Sequence, residues 1–103
     1  QVILNLLHNA LDAMLDSDSR ILLVRIFRDG AACVLSVEDS GGGIAEEALG
    51  RVFEPFFTTK PVGQGLGLGL AVSYGIVRDL GGMLEAHNGE RGAVFTLKLP
   101  SAP

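Results

Sequence analysis

Residues 1–16, QVILNLLHNALDAMLD, place apolar and polar side chains with a helical period. At about 100° per residue, Ile3, Leu7, Ala10 and Met14 fall on one side, while Asn5, Asn9, Asp12 and Asp16 fall within roughly 60° of one another on the opposite side. The spacing predicts a two-faced helix from Gln1 to about Asp16, stopped by the polar cluster DSDS. Arg20 to Phe27 and Ala31 to Glu38 are rich in aliphatic and β-branched residues, and Arg28-Asp29-Gly30 between them predicts a hairpin. The glycine cluster DSGGGI follows, then a short helix from Glu46 to about Val52. From Phe53 to Gly67 no period is visible, and loops of that length are uncommon in a small domain unless they work as lids or binding segments. Helical spacing resumes from Leu68 to Leu80 and stops at Gly81-Gly82, a C-terminal cap. Met83 to His87 and Ala93 to Leu99 predict a second hairpin around NGERG, with Pro100 ending the pairing. This order predicts an α+β fold, a two-layer sandwich with helices on one face of a mixed, mostly antiparallel sheet.

Composition narrows what such a fold can do. A chain of 103 residues makes one domain, and 48% hydrophobic with 19% charged residues is globular composition. The net charge is −4 and no Lys/Arg run occurs, which excludes a nucleic-acid surface and direct contact with an anionic membrane. Cys33, the lone cysteine, lies in the apolar run AACVLSV and reads as a buried small hydrophobe in a reducing, cytoplasmic compartment. Apolar runs of only a few residues match neither a membrane span nor a signal peptide. The first residue already lies inside a helical pattern, so the chain is expected to begin within a larger protein.

Four features then carry the chemistry. Asn5 and Asn9 lie one helical turn apart in register with Asp12, and amide oxygens are hard neutral ligands suited to Mg²⁺, which keeps waters and substrate phosphates in its shell. Asp39 follows a strand and precedes Gly41, Gly42 and Gly43. A plain turn accounts for that cluster. It equally suits a carboxylate that accepts a hydrogen bond from the exocyclic amine of adenine, with a flat ring laid against bare backbone. Gly63, Gly65, Gly67 and Gly69 alternate into the helix near Leu68, where backbone N–H groups can approach a phosphate, and hinge glycines for a lid give the same pattern. Neither G-x-x-x-x-G-K-[ST] nor G-x-G-x-x-G is matched. Lys60, after Thr58 and Thr59, offers a point charge and hydroxyls to an outer phosphate, or is a solvated loop lysine.

Taken in order, QVILNLLHNALDAM, DSGGGI, FEPFFTTK and GQGLGLGL resemble the N-box, first glycine box, F-box and second glycine box of the catalytic and ATP-binding domain of sensor histidine kinases. These belong to the wider GHKL ATPase group, shared with gyrase-type topoisomerases and ATP-binding chaperones. The segments GIVRDLGG and AVFTLKLP are also similar. The resemblance departs at the start, where the strand and first part of the helix before the N-box have no counterpart, so residues 1–103 read as one N-terminally truncated domain of this type.

The resemblance implies the Bergerat-type ATP-binding fold, ATP and Mg²⁺ as cofactors, and an ATP lid over about 53–67 whose phenylalanines anchor it, with Phe56 also among the ATP-binding residues. Asn9 would be the chief Mg²⁺ ligand with Asn5 in support, and Asp12 would line the nucleotide side of the helix. Asp39 would take the adenine amine, with Gly41, Gly43 and Ile44 shaping the pocket. Thr58, Thr59, Lys60, Gly65, Leu66, Gly67, Leu68 and Gly69 would surround the phosphates, and His8 would be a phosphate contact or a solvent-facing side chain. Neither His8 nor His87 is followed by the acidic residue of the phosphoacceptor pattern. The expected partners are therefore ATP, a separate dimerisation and histidine phosphoacceptor domain of the same two-component protein, and through it a response regulator. The expected activity is protein histidine kinase. Two alternatives stand beside it: an ATP-hydrolysing clamp, for which Asn5 in place of a glutamate is a poor general base, and a non-catalytic nucleotide-binding regulatory module.

Overall fold

The computed structural model describes residues 1–57 and 68–100. Its elements are α1 (Val2–Ala13), β1 (Leu22–Asp29), β2 (Ala32–Asp39), α2 (Glu46–Leu49), α3 (Gly69–Asp79), β3 (Met83–Asn88) and β4 (Ala93–Pro100). The strands form one sheet in the order β1-β2-β4-β3. Every pairing among the described residues is antiparallel, so the expected mixed sheet contains no parallel pair here. α1 and α3 pack against each other and lie over β2 and β3, giving the two-layer arrangement that the element order predicts.

Local chemistry explains the boundaries. Asp29 pairs with Ala32, so the first hairpin turns on Gly30-Ala31, one residue later than the sequence suggests. Gly30 takes φ 60° at the first turn position, where a two-residue hairpin of the II′ kind requires a positive φ. α3 ends in a Schellman motif: Gly81 sits at φ 78° and donates its N–H to the Arg78 carbonyl at 3.0 Å, while Gly82 N–H reaches the Val77 carbonyl at 2.9 Å. Pro100 pairs with Ala32 as the last residue of β4, so it terminates the ladder from within rather than from just beyond.

The core lies between the helices and the inner faces of β2, β4 and β3: Leu6, Ala10, Leu35, Val37, Val77, Leu84, Phe95 and Leu97 are buried there. Two expectations are corrected by it. Leu6, fully buried, is the centre of the α1 core stripe with Ala10 and Met14, whereas Ile3 is half exposed. The expected Ala10, Met14 and half-buried Leu7 hold, but Leu6 takes the place of Ile3, which turns the stripe so that Asn5 and Asn9 flank the core instead of standing opposite it. Cys33 is exposed rather than buried. It shares the inner face with Leu35 and Val37 but sits beside the hairpin end of β2, beyond the reach of the helices.

Candidate functional site

α1 is the spine of the site. Asn5, Asn9 and Ala13 repeat at i, i+4 and i+8, and so stack along one helical face. The two ends of this row touch different elements. The Asn5 Nδ2 donates to the Ser73 Oγ at 2.9 Å and to the Gly69 carbonyl at 3.3 Å, which ties it to the first turns of α3. At the other end, a Cβ on Gly41 would run into the Ala13 carbonyl oxygen, so the glycine loop after β2 closes directly on α1. Asn9, half-buried, lies between these two closures.

Asp39 ends β2 beneath that loop and is 1% exposed. Its Oδ1 accepts the Gly41 N–H at 2.9 Å, whereas Oδ2 is buried with no hydrogen-bond partner among the described residues. Burial lifts the Asp39 carboxyl above its ordinary range; the N–H groups of Gly41 and Ala93 pull it down, and nearby Glu38 adds a smaller upward push. A buried acceptor left open in this way awaits a donor. Glycine backbone packs directly against this residue, since a Cβ on Gly92 would sit 2.5 Å from the Asp39 carbonyl oxygen and 3.1 Å from its Oδ1.

The loop is fastened from the far side by Asn88, at the end of β3. Its Oδ1 accepts the Ile44 N–H and its Nδ2 donates to the Ile44 carbonyl, both at 2.7 Å. Gly43 has φ 84°, and a Cβ there would lie 2.8 Å from Asn88 Oδ1, so both conformation and space require glycine. Ser40 secures the start of the loop by donating to the Ser19 carbonyl at 2.9 Å and accepting the Ile21 N–H at 2.8 Å.

The structure therefore joins Asn5 to Gly69 at one end of the α1 row that carries Asn9, and sets Gly41 with Asp39 against Ala13 at the other, while Gly43 and Ile44 are held by Asn88 on the far side of the loop. His8 and Asp12 are exposed on that helix, and Leu68 is the N-cap of α3. Thr58, Thr59, Lys60, Gly65, Leu66 and Gly67 lie outside the described residues. Of the phenylalanines expected to anchor the lid, Phe53 stacks on Tyr74 with centroids 5.1 Å apart and meets Phe95 edge-on at 6.1 Å. Phe57 packs against the core with the Arg51 guanidinium 4.8 Å from its ring. Phe56 is no anchor: at φ 67° its ring is turned out and 71% exposed.

Sequence reasoning missed Ser73, Asn88 and Gly92. Ser73 and Asn88 carried a faint signal, a hydroxyl in an otherwise apolar helical stripe and a carboxamide beside a turn. Gly92 carried none, because its need for a bare Cα comes from Asp39 across the strand pair. A separate open depression of about 480 Å³ lies on the opposite sheet face, lined by Leu23, Arg25, Phe27, Glu38, His87 and Arg91 among others, and shares none of these site residues. Among the described residues no group of three or more His, Cys, Asp or Glu converges to hold a metal, and no helix is long and apolar enough to cross a membrane.

Residues 1–103 match the family described as histidine kinase-, DNA gyrase B- and HSP90-like ATPase. The chain is 49% identical to the two-component sensor PprA of Pseudomonas aeruginosa over 99% of its own length, which spans 12% of that protein. It is 44% identical to the sensor histidine kinase ZraS of Escherichia coli over 97% of its length and 21% of that protein. Among solved structures, the catalytic domain of histidine kinase ThkA superposes with a TM-score of 0.85 at 35% identity, covering all of this chain and 67% of that one. The mycobacterial sensor histidine kinase MprB gives 0.85 at 28% identity, covering 99% of this chain and 71% of that one. Matched by the family over residues 1–103, and like these sensor kinases in sequence and in fold over nearly its whole length, the chain belongs to the histidine kinase-, DNA gyrase B- and HSP90-like ATPase family, and within it to the ATP-binding domains of sensor histidine kinases.

Proposed function

We propose that the face of α1 bearing Asn5 and Asn9, together with Asp39 and its glycine loop, binds ATP with Mg²⁺ and supplies the γ-phosphoryl group to a histidine on a separate dimerisation and acceptor domain of the same protein, from which it passes to a response regulator. The observation that carries the reading is Asp39: a buried carboxylate with Oδ2 left open under a glycine floor accepts the 6-amino group of adenine and repels the O6 of guanine. The α1 row fits a hard cation, because both Asn5 amide hydrogens are donated to α3, leaving its oxygen without a hydrogen-bond partner among the described residues. Asn9 and Asn5 would hold Mg²⁺, with Asn9 as chief ligand, and the ion would draw charge from the transferring phosphate.

The chain's own residues supply position rather than covalent chemistry, which is what phosphoryl transfer mainly asks of a protein. Asp39 fixes the base, Ile44 and Gly43 shape its pocket under the Asn88 clamp, and Asp12 lines the nucleotide side of α1. Leu68 and Gly69 open α3 toward the phosphates, with Thr58, Thr59, Lys60, Gly65, Leu66 and Gly67 expected to complete their surroundings. His8 is a candidate phosphate contact. The absence of a carboxylate at position 5 argues against water activation, since a carboxamide cannot take a proton at neutral pH.

The test uses the full protein carrying residues 1–103, incubated with γ-labelled ATP and Mg²⁺. Acid-labile label on a histidine outside this chain is the expected result. Free phosphate as the main product would replace the reading with an ATP-hydrolysing clamp, and binding without either product would leave a regulatory module. Asp39→Asn is expected to abolish the preference for ATP over GTP; an unchanged preference would remove Asp39 from the adenine pocket.

A further inference from the structure

We infer that Ser73 is a positioning residue for the metal side of the site: its buried hydroxyl holds the Asn5 carboxamide so that the oxygen, not the nitrogen, faces the cation. The inference rests on the reading of Asn5 as a Mg²⁺ ligand and adds the element that makes Asn5 competent for it. A carboxamide is nearly symmetric in shape but not in charge, and a half-turn about its last bond exchanges an acceptor for two donors. A ligand that spends time in the wrong orientation presents N–H groups to a cation and repels it.

Two contacts decide the orientation here. The Gly69 carbonyl can only accept, so the Asn5 group within 3.3 Å of it is the nitrogen. That contact is long and on its own gives weak discrimination. The second is shorter, 2.9 Å from Asn5 Nδ2 to Ser73 Oγ. Ser73 is fully buried, one turn before the core residue Val77, so water does not compete for its hydroxyl. With both amide hydrogens committed to α3, the oxygen is left on the side away from that helix. Position 73 otherwise sits in an apolar stripe, where a hydroxyl without a partner would be unfavourable. Asn5 is the hydrogen-bond partner the structure gives it.

The experiment titrates Mg²⁺ at fixed ATP in the full protein and follows nucleotide binding, not phosphorylation, for the native sequence, Ser73→Ala, Asn5→Ala and the double variant. Ser73→Ala removes one hydrogen-bonding group, and the loss of one such bond predicts about a threefold to tenfold rise in the Mg²⁺ concentration for half-maximal binding. ATP binding in EDTA should not change, because the adenine end is untouched. In the Asn5→Ala background the Ser73→Ala change should add nothing, since Ser73 acts through Asn5. A thermal melt of each variant confirms that α3 remains folded, and alanine is a good helix former there. A native Mg²⁺ dependence that Ser73→Ala leaves unaltered overturns the positioning role alone, as do equal Ser73→Ala effects with and without Asn5. No Mg²⁺ dependence in the native protein would overturn the metal reading of α1 and this inference with it.

Discussion

β1 and β4 are eight-residue strands of one sheet with similar chemistry, LLVRIFRD and AVFTLKLP, yet their surroundings differ completely. All eight residues of β1 are exposed, while Ala93, Val94, Phe95 and Leu97 of β4 are buried. Their place in the sheet makes the difference. β4 is central, between β2 and β3, and α1 and α3 roof that side; β1 is an edge strand outside the roof. The border crosses a single strand pair: Leu22 of β1 is opposite Asp39 of β2, the first 36% exposed and the second 1%. The low-dielectric surroundings that bury Asp39 and raise its carboxyl are thus a property of the helical roof, and residues one strand away do not share them.

The widest separation between the two strands is expected in stability. Phe95→Ala removes a ring packed edge-on to Phe53, and should destabilise the domain by about 3–5 kcal/mol. Ile26→Thr on β1, at a side chain 72% exposed, keeps a β-branched residue and should change stability by less than about 0.5 kcal/mol. Denaturant unfolding of the two variants checks the pair. Comparable losses would mean that β1 is covered in the intact protein, and the contrast between strands would then belong to this domain alone.

The sequence made the roof legible but not its placement. The helical period of residues 1–16 located α1, and the glycine pair at 81–82 located the end of α3, because both signals are local. The core-facing stripe was misread at one place: Ala10, Met14 and the half-buried Leu7 face the core as expected, but Ile3 scores as well as Leu6 on periodicity, and only the position of β2 and α3 against the helix makes Leu6 the buried one. Cys33 failed for the same reason, since an apolar run says that a strand wants cover, not where the cover stops. Within the site, Asn5, Asn9 and Asp39 were visible as residue types at meaningful spacings. Ser73 and Asn88 were not, because each acts through a partner more than 40 positions away, Ser73 on Asn5 and Asn88 on Ile44.

A smaller effect, of opposite sign, is expected at Asp39 itself. Burial raises its carboxyl above the ordinary value against the pull of two backbone N–H groups, so the folded chain holds that proton more tightly than the unfolded one. The stability this lends is present when Asp39 is protonated and is lost as pH climbs from the ordinary aspartate range through the raised value. Nucleotide-free Asp39→Asn, which never ionises, should therefore match or exceed the native domain at neutral pH. Its advantage should shrink as pH falls to about 4, where the native carboxyl regains its proton. Urea unfolding of both proteins at the two pH values checks the sign; an advantage that grows on acidification would contradict it. Nucleotide binding should run the other way, weakening as Asp39 protonates, because only the carboxylate keeps both oxygens as acceptors.

The finest test compares the two sides through one kind of contact. Arg51 lies 4.8 Å from the ring centre of Phe57 and Arg25 lies 5.4 Å from that of Phe27. Phe57 packs against the core, so its ring is held in place, whereas Phe27 stands on the edge strand with 42% of its surface exposed. Arg51 also pairs with Glu54 at 3.3 Å, but both side chains are more than half exposed and solvent screens the pair. Arg51→Ala should therefore destabilise by about 0.5–1 kcal/mol, mostly through the ring contact. Arg25→Ala should fall below about 0.5 kcal/mol, since its partner is not fixed by packing. Glu54→Ala separates the two contributions at Arg51: it should recover only a minor part of the Arg51→Ala loss. If it recovers all of it, the ion pair rather than the held ring carries the contact, and core packing would not be what distinguishes Arg51 from Arg25.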